Sequence, residues 1–148
     1  MSDFSEKNFK SWIKTHWRGW LSSYEPRKGG TIGIADLQIV VENKIVPIEL
    51  KIGRVIKSLV DGSELLDICD IRPVQIQWHK SLFEKGGVNS FFLVGVGSQN
   101  KLNRIFIFQG RFASKFLKPV KFEESYADEI EITNFSRNLE KFILGSVD

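Results

Sequence analysis

Apolar residues after Ser5 recur at helical spacing: Phe9, Trp12, Ile13, Trp17 and Trp20. With Ser5 as a cap, they predict a first helix that ends near Gly19. "LSSYEP" reads as a short strand and "RKGGTIG" as a loop. "IADLQIVV" and "IVPIELKI" then alternate in the manner of two strands joined around "ENK". "GRVIKSLVDGSELLDICDI" follows neither period and is expected to hold a turn of helix and a loop. Pro73 suits the first turn of a second helix. Val74, Trp78 and Leu82 repeat every four residues along it, and Gly86 and Gly87 stop it. "SFFLVGVG" and "RIFIFQG" are two more strands, and "FSRNLEKFIL" is a last helix with Phe135, Leu139, Phe142 and Ile143 apolar. The expected order is α-β-β-β-α-β-β-α, an α+β (α/β) domain whose central mixed sheet is flanked by helices. No repeat, low-complexity tract or linker divides the chain, so residues 1–148 are read as one domain.

The two middle strands carry an unusual pattern. With Glu42 and Asn43 at the tip of an antiparallel hairpin, Val41 faces Lys44 and Asp36 faces Glu49, their side chains on one face at about 5 Å between Cβ atoms. Lys51, two residues on, shares that face. The other face collects Leu37, Ile39 and Val41 against Val46, Ile48, Leu50 and Ile52, a surface for a helix to cover. An odd-length turn would instead make Asp36 and Glu49 diagonal neighbours. Two facing carboxylates repel and need compensation. A divalent cation supplies it, and two acids completed by water and phosphate suit Mg²⁺ or Mn²⁺. The same residues also fit a solvated strand face with a cross-strand ion pair.

Charge and composition narrow the setting. The chain has 148 residues, a net charge of +3 and one cysteine, Cys69. A lone cysteine excludes an internal disulfide and a cysteine zinc site, which suits a reducing interior and predicts a cytoplasmic protein. Charges stand in "MSDFSEKNFK" where a signal peptide needs an apolar run, and no window approaches a membrane span. From Lys121 onward there are three basic residues and seven acidic ones, which leaves 18 basic against 11 acidic before it. A basic body of this kind permits a polyanionic partner.

The stretch "GTIGIADLQIVVENKIVPIELKIG" resembles the PD-(D/E)XK nuclease superfamily. There, a glycine-rich loop leads to an acid on one strand and a (D/E)xK triplet follows on the next; here these are Asp36 and Glu49-Leu50-Lys51. "RPVQIQWHKSLFEKGG" is similar to the helix that follows the triplet in the VRR-NUC and Holliday-junction-resolvase-like branches. The resemblance runs from about Gly29 to Gly97, with Ala35 in place of the proline of the "PD" signature. It implies a restriction-endonuclease-like core and Mg²⁺-dependent hydrolysis of DNA. Asp36 and Glu49 would bind metal, and Lys51 would assist the water or the transition state.

The resemblance also implies a glutamate on the first helix near the metal, for which Glu6 fits and Glu25 competes. Gln75 matches the family's helix glutamine, expected to orient lysine or water. His79, four residues on, is either close to phosphate or a plain surface histidine. Arg27 and Lys28 in the glycine loop, and Lys10, Lys14 and Arg18 with Lys7 along the first helix, are expected to hold a DNA backbone. With no separate sequence-reading domain expected, branched or junction DNA and a homodimer making paired incisions are favoured. A site-specific, homing or nicking endonuclease is the enzymatic alternative. A non-catalytic nucleic-acid-binding module on the same fold is the other.

Overall fold

The structure is a computed structural model that describes residues 4–24 and 35–146. Helix α1 (Glu6–His16) begins at Ser5, whose Oγ accepts from the backbone N–H of Asn8 while the Asn8 side chain accepts from the Ser5 N–H. Phe9 and Ile13 are its buried residues, each stabilising the fold by roughly 1.5–3 kcal/mol. The helix stops sooner than its apolar stripe suggests. Trp17 turns extended, buries its ring and donates its indole N–H to Trp20 O at 3.0 Å, which leaves Trp20 exposed.

Strand β1 (Leu21–Ser23) pairs with β2 (Leu37–Val41), and β2 pairs with β3 (Lys44–Lys57). The register is the expected one, running from Val41 opposite Lys44 to Leu37 opposite Ile48. Glu42 and Asn43 form the two-residue tip, both with positive φ (47° and 67°), which suits the right-handed twist of a hairpin. The ambiguous stretch holds the expected loop, at residues 58–63, but strands in place of a turn of helix. β3 continues through it to Lys57, and β4 (Glu64–Ile68) returns antiparallel from Glu64 opposite Lys57 to Ile68 opposite Gly53. Gly53 makes this possible, because a Cβ there would lie 2.7 Å from Val94 Cγ1 and 3.0 Å from Asp67 O.

Helix α2 (Pro73–Gly86) crosses to β5 (Phe91–Ser98), which is parallel to β3, and β6 (Lys101–Gln109) pairs back against β5. Two 3-10 segments, Gly110–Phe116 and Phe122–Glu124, and the short strands β7 (Val120–Lys121) and β8 (Asp128–Ile130) precede helix α3 (Phe135–Gly145). The protein is thus α+β, with a central mixed sheet flanked by helices. Its main path runs β1-β2-β3-β5-β6-β8, and β4 joins β3 to β7.

Alternation along β5 sorts the core into two layers. Phe91 and Leu93 face a cluster that includes Phe9, Ile13, Leu139 and Ile143 of α1 and α3. Phe92 and Val94 face a second cluster with Leu66, Phe108 and Phe116, against which Ile76 of α2 packs. Part of the acidic C-terminal surplus is spent on the rim, where Arg104 grips Glu129 at 2.9 and 2.7 Å and Glu64 at 3.2 Å. Among the described residues no helix is long and apolar enough to cross a membrane.

Candidate active site

The register that pairs β3 with β5 sets Glu49 beside Phe92 and Lys51 beside Val94. The charged residues therefore share a face with the second apolar cluster, and α2 covers them. Glu49 is 1% exposed and Lys51 2%. A solvated strand face with a surface ion pair is ruled out by this burial.

One edge of β3 explains how Asp36 joins them. β2 occupies that edge as far as Ile48, and beyond Leu50 the Cys69 N–H reaches Ile52 O at 3.0 Å. Residues two apart direct their backbone groups to the same edge, so Leu50 lies in a gap between β2 and the chain leaving β4. Asp36 fills the gap, its Oδ2 accepting the Leu50 N–H at 2.9 Å. The C=O of Leu50 leaves the strand on the same edge.

The carboxyl of Asp36 stands next to that of Glu49, so that one can donate a hydrogen bond to the other when one of the two is protonated. Burial first, then that hydrogen bond and the charge of Asp36, push the Glu49 carboxyl up past neutrality, opposed by Lys51. Two full charges at about 4 Å would repel by roughly 4 kcal/mol at an effective dielectric near 20. A shared proton relieves this, and so does a cation. Two carboxylates and a strand carbonyl at one gap are hard oxygen donors of the kind Mg²⁺ and Mn²⁺ take. The residues fit such an ion: Asp36 and Glu49 would hold it, with Leu50 O beside them.

Lys51 is tethered from above. Its Nζ donates to Asp70 O at 2.7 Å, in the β4–α2 loop, where Asp70 has a positive φ of 59°. The ammonium still acts on its neighbours, drawing the carboxyls of Glu49 and Glu6 down. Glu6 is exposed, and crowding by the groove wall raises its carboxyl, with Lys51, Asp36, Asp70 and Arg72 as its charged neighbours. Among the described residues no three His, Cys, Asp or Glu side chains converge tightly enough to hold a metal by themselves. Glu6 lines the same groove as Asp36.

Asp36 opens into a groove of about 410 Å³ lined by Glu6, Lys7, Lys10, Ser11, Lys14 and Leu50. Lys10 and Lys14 are thereby brought to the acids, and Lys7 with them. Arg18 is not. It lies past the end of α1 in a separate depression with Asn134, Ser136, Arg137 and Lys141, its N–H on Ser136 Oγ at 3.1 Å. Glu25, Arg27 and Lys28 lie outside the described residues.

Helix α2 departs from its expected face. The stripe Val74, Trp78 and Leu82 is not its buried face: Val74 is 44% exposed, whereas Gln75 and His79 are buried. Gln75 commits its Oε1 to the Arg72 N–H at 3.0 Å, closing the helix start rather than orienting lysine or water through that atom. His79, one of whose expected places was the surface, is 0% exposed and reaches Glu49 Oε1 at 3.4 Å through Nε2. Burial pushes its imidazole down to about 4, so this contact joins a neutral ring to Glu49 and is no ion pair. The signal available in the sequence was the four-residue spacing from Gln75, which fixes a shared face. Ser90, Asp70 and Arg72 carried none, since each comes near only through the fold.

No protein-family model and no curated protein matches this chain. The resemblance rests on its own residues.

Proposed function

We propose that this chain is a Mg²⁺-dependent DNA endonuclease of the PD-(D/E)XK type, acting on branched or junction DNA as a homodimer in the cytoplasm. The observation that supports it most is the pair Asp36–Glu49 beside buried Lys51, with Asp36 set at a break in the sheet edge and opening into a groove with three lysines. A core has no use for such a pair. Replacing it by apolar residues would remove a burial cost of several kcal/mol.

A bound Mg²⁺, or Mn²⁺ in its place, would polarise the phosphodiester and acidify an attacking water. Asp36 and Glu49 would hold that ion. Lys7, Lys10 and Lys14 line the approach and attract the phosphate backbone. Lys51, fixed by Asp70 O, sets a positive charge beside the reacting phosphate and offsets the charge that builds there. The water oxygen bonds to phosphorus, the bond from phosphorus to the 3′ oxygen breaks, and a 5′-phosphate and a 3′-hydroxyl result.

The test is incubation of labelled four-way junction, flap, single-stranded and linear DNA with the protein, with Mg²⁺ and with EDTA. Mg²⁺-dependent cutting strongest on the branched substrates is expected. Sequence-dependent cutting of linear duplex would point to a site-specific endonuclease and single-strand cuts to a nickase. Binding without hydrolysis would sink the enzyme.

A further inference from the structure

We propose that His79 is a positioning residue: through Nε2 it holds the carboxylate of Glu49 in the orientation a divalent cation requires, and Ser90 in turn holds His79. The inference rests on the metal reading of Asp36 and Glu49 above.

The ring has little freedom. It is fully buried, with the Phe92 ring 4.7 Å and the Trp78 ring 4.8 Å away between centroids. Its Nδ1 lies 2.5 Å from Ser90 Oγ and its Nε2 3.4 Å from Glu49 Oε1. Ser90 is itself 1% exposed, and its carbonyl accepts the Gly110 N–H at 2.7 Å. A methyl group on Gly110 would collide with both Ser90 Oγ and His79 Nδ1. Three elements thus close around one imidazole: α2, the start of β5, and the 3-10 segment after β6.

The chemistry fixes the direction of the relay. A carboxylate that holds a cation has only acceptors left, so Nε2 carries the hydrogen and donates to Glu49. Nδ1 is then bare and takes the Ser90 hydroxyl hydrogen. A contact of 3.4 Å is long, and hydrogen bonds to a charged carboxylate run shorter, so ion binding tightens it. Partners of this kind, which orient a ligand without touching the ion, typically alter metal affinity about 10–100-fold when removed.

Mn²⁺ affinity, read by calorimetry on the full chain, tests this in wild type, His79→Leu, His79→Gln and Ser90→Ala, with circular dichroism to check folding. His79→Leu is expected to weaken Mn²⁺ roughly tenfold or more. His79→Gln places an amide N–H near the lost Nε2 and is expected to recover most of that loss, which a merely structural histidine would not show. Ser90→Ala leaves the ring but frees it, and is expected to lose severalfold. Wild-type affinity in folded His79→Leu, or no recovery in His79→Gln, overturns the relay. Should His79→Leu not fold, wild-type affinity in Ser90→Ala overturns it instead. A wild-type protein that binds no Mn²⁺ overturns the metal reading, and this inference with it.

Discussion

Without divalent ions, this protein is expected to lose stability as the pH rises above neutrality, and Glu49 is the cause. Its carboxyl is 1% exposed and raised past neutrality, first by burial and then by Asp36. In the unfolded chain it ionises at the ordinary glutamate value, about 4.3. A carboxyl raised by folding contributes stability in full below its unfolded pKa. That contribution is lost as the pH climbs toward the folded value, at roughly 1.4 kcal/mol per pH unit. His79 has the opposite sign. Its folded value of about 4 lies below the ordinary 6.5 or so, so its neutral ring adds stability as the pH rises between those limits. The two slopes cancel up to about pH 6.5, and above it only the loss from Glu49 remains. From pH 6.5 to 8.5 that amounts to at most roughly 2.7 kcal/mol, a large part of the 5–15 kcal/mol or so of a typical domain. Urea unfolding followed by circular dichroism at pH 6.5, 7.5 and 8.5 in EDTA measures it. Glu49→Gln is neutral throughout and should show little slope. Saturating Mg²⁺ should flatten the wild-type slope too, because the cation takes the place of the proton. Equal slopes for wild type and Glu49→Gln in EDTA would show that Glu49 is ionised in the fold, and the reasoning fails.

Lys51→Met keeps the buried stem but removes the ammonium, so Mn²⁺ affinity should hold within a few-fold while cleavage falls about 10²–10³-fold; a loss of metal affinity to match would give the lysine a structural task. Gly53→Ala drives a methyl against Val94 Cγ1 and Asp67 O and should cost about 1–3 kcal/mol in urea unfolding; an unchanged midpoint would mean that β3 and β4 can separate at little cost. Replacing Lys7 and Lys14 together by alanine should flatten the slope of log DNA affinity against log salt by about two units, and an unchanged slope would take the α1 groove out of the DNA path.

The hairpin was legible because its signals are local. Alternation fixes which residues share a face, and a two-residue tip at Glu42 and Asn43 fixes the pairing, so the register from Val41–Lys44 to Leu37–Ile48 followed. The second half of β3 was not legible. Arg54, Lys57 and Ser58 break the alternation, and Gly53 looks like a breaker until Val94 is seen to occupy the space of its side chain. Trp20 was misplaced for a similar reason: helical spacing continues past His16, but burying the Trp17 ring ends the helix first. In each case local periodicity gave way to a contact made far along the chain.

The site divides the same way. Period-two geometry set Glu49 and Lys51 on one face, while Asp36 lies just before β2 and joins them through the Leu50 N–H rather than across a strand pair. Nothing within the hairpin says whether that face meets water or a helix. That depends on α2, which inverts its own pattern. It leaves Val74 44% exposed and turns Gln75 and His79 inward. An apolar core alone would favour the opposite rotation, with the valine in and the polar pair out, since burying polar groups costs free energy unless each finds a partner. Each does: Gln75 closes the helix start, and His79 spans Ser90 and Glu49. The rotation therefore makes sense for His79 if the face opposite carries something that needs it, since Gln75 is satisfied within its own helix. A helix whose hydrophobic pattern fails at two adjoining inward positions marks the side of a sheet where function, rather than packing, chose the residues. Here that failure points to β3, where the His79 ring meets Glu49.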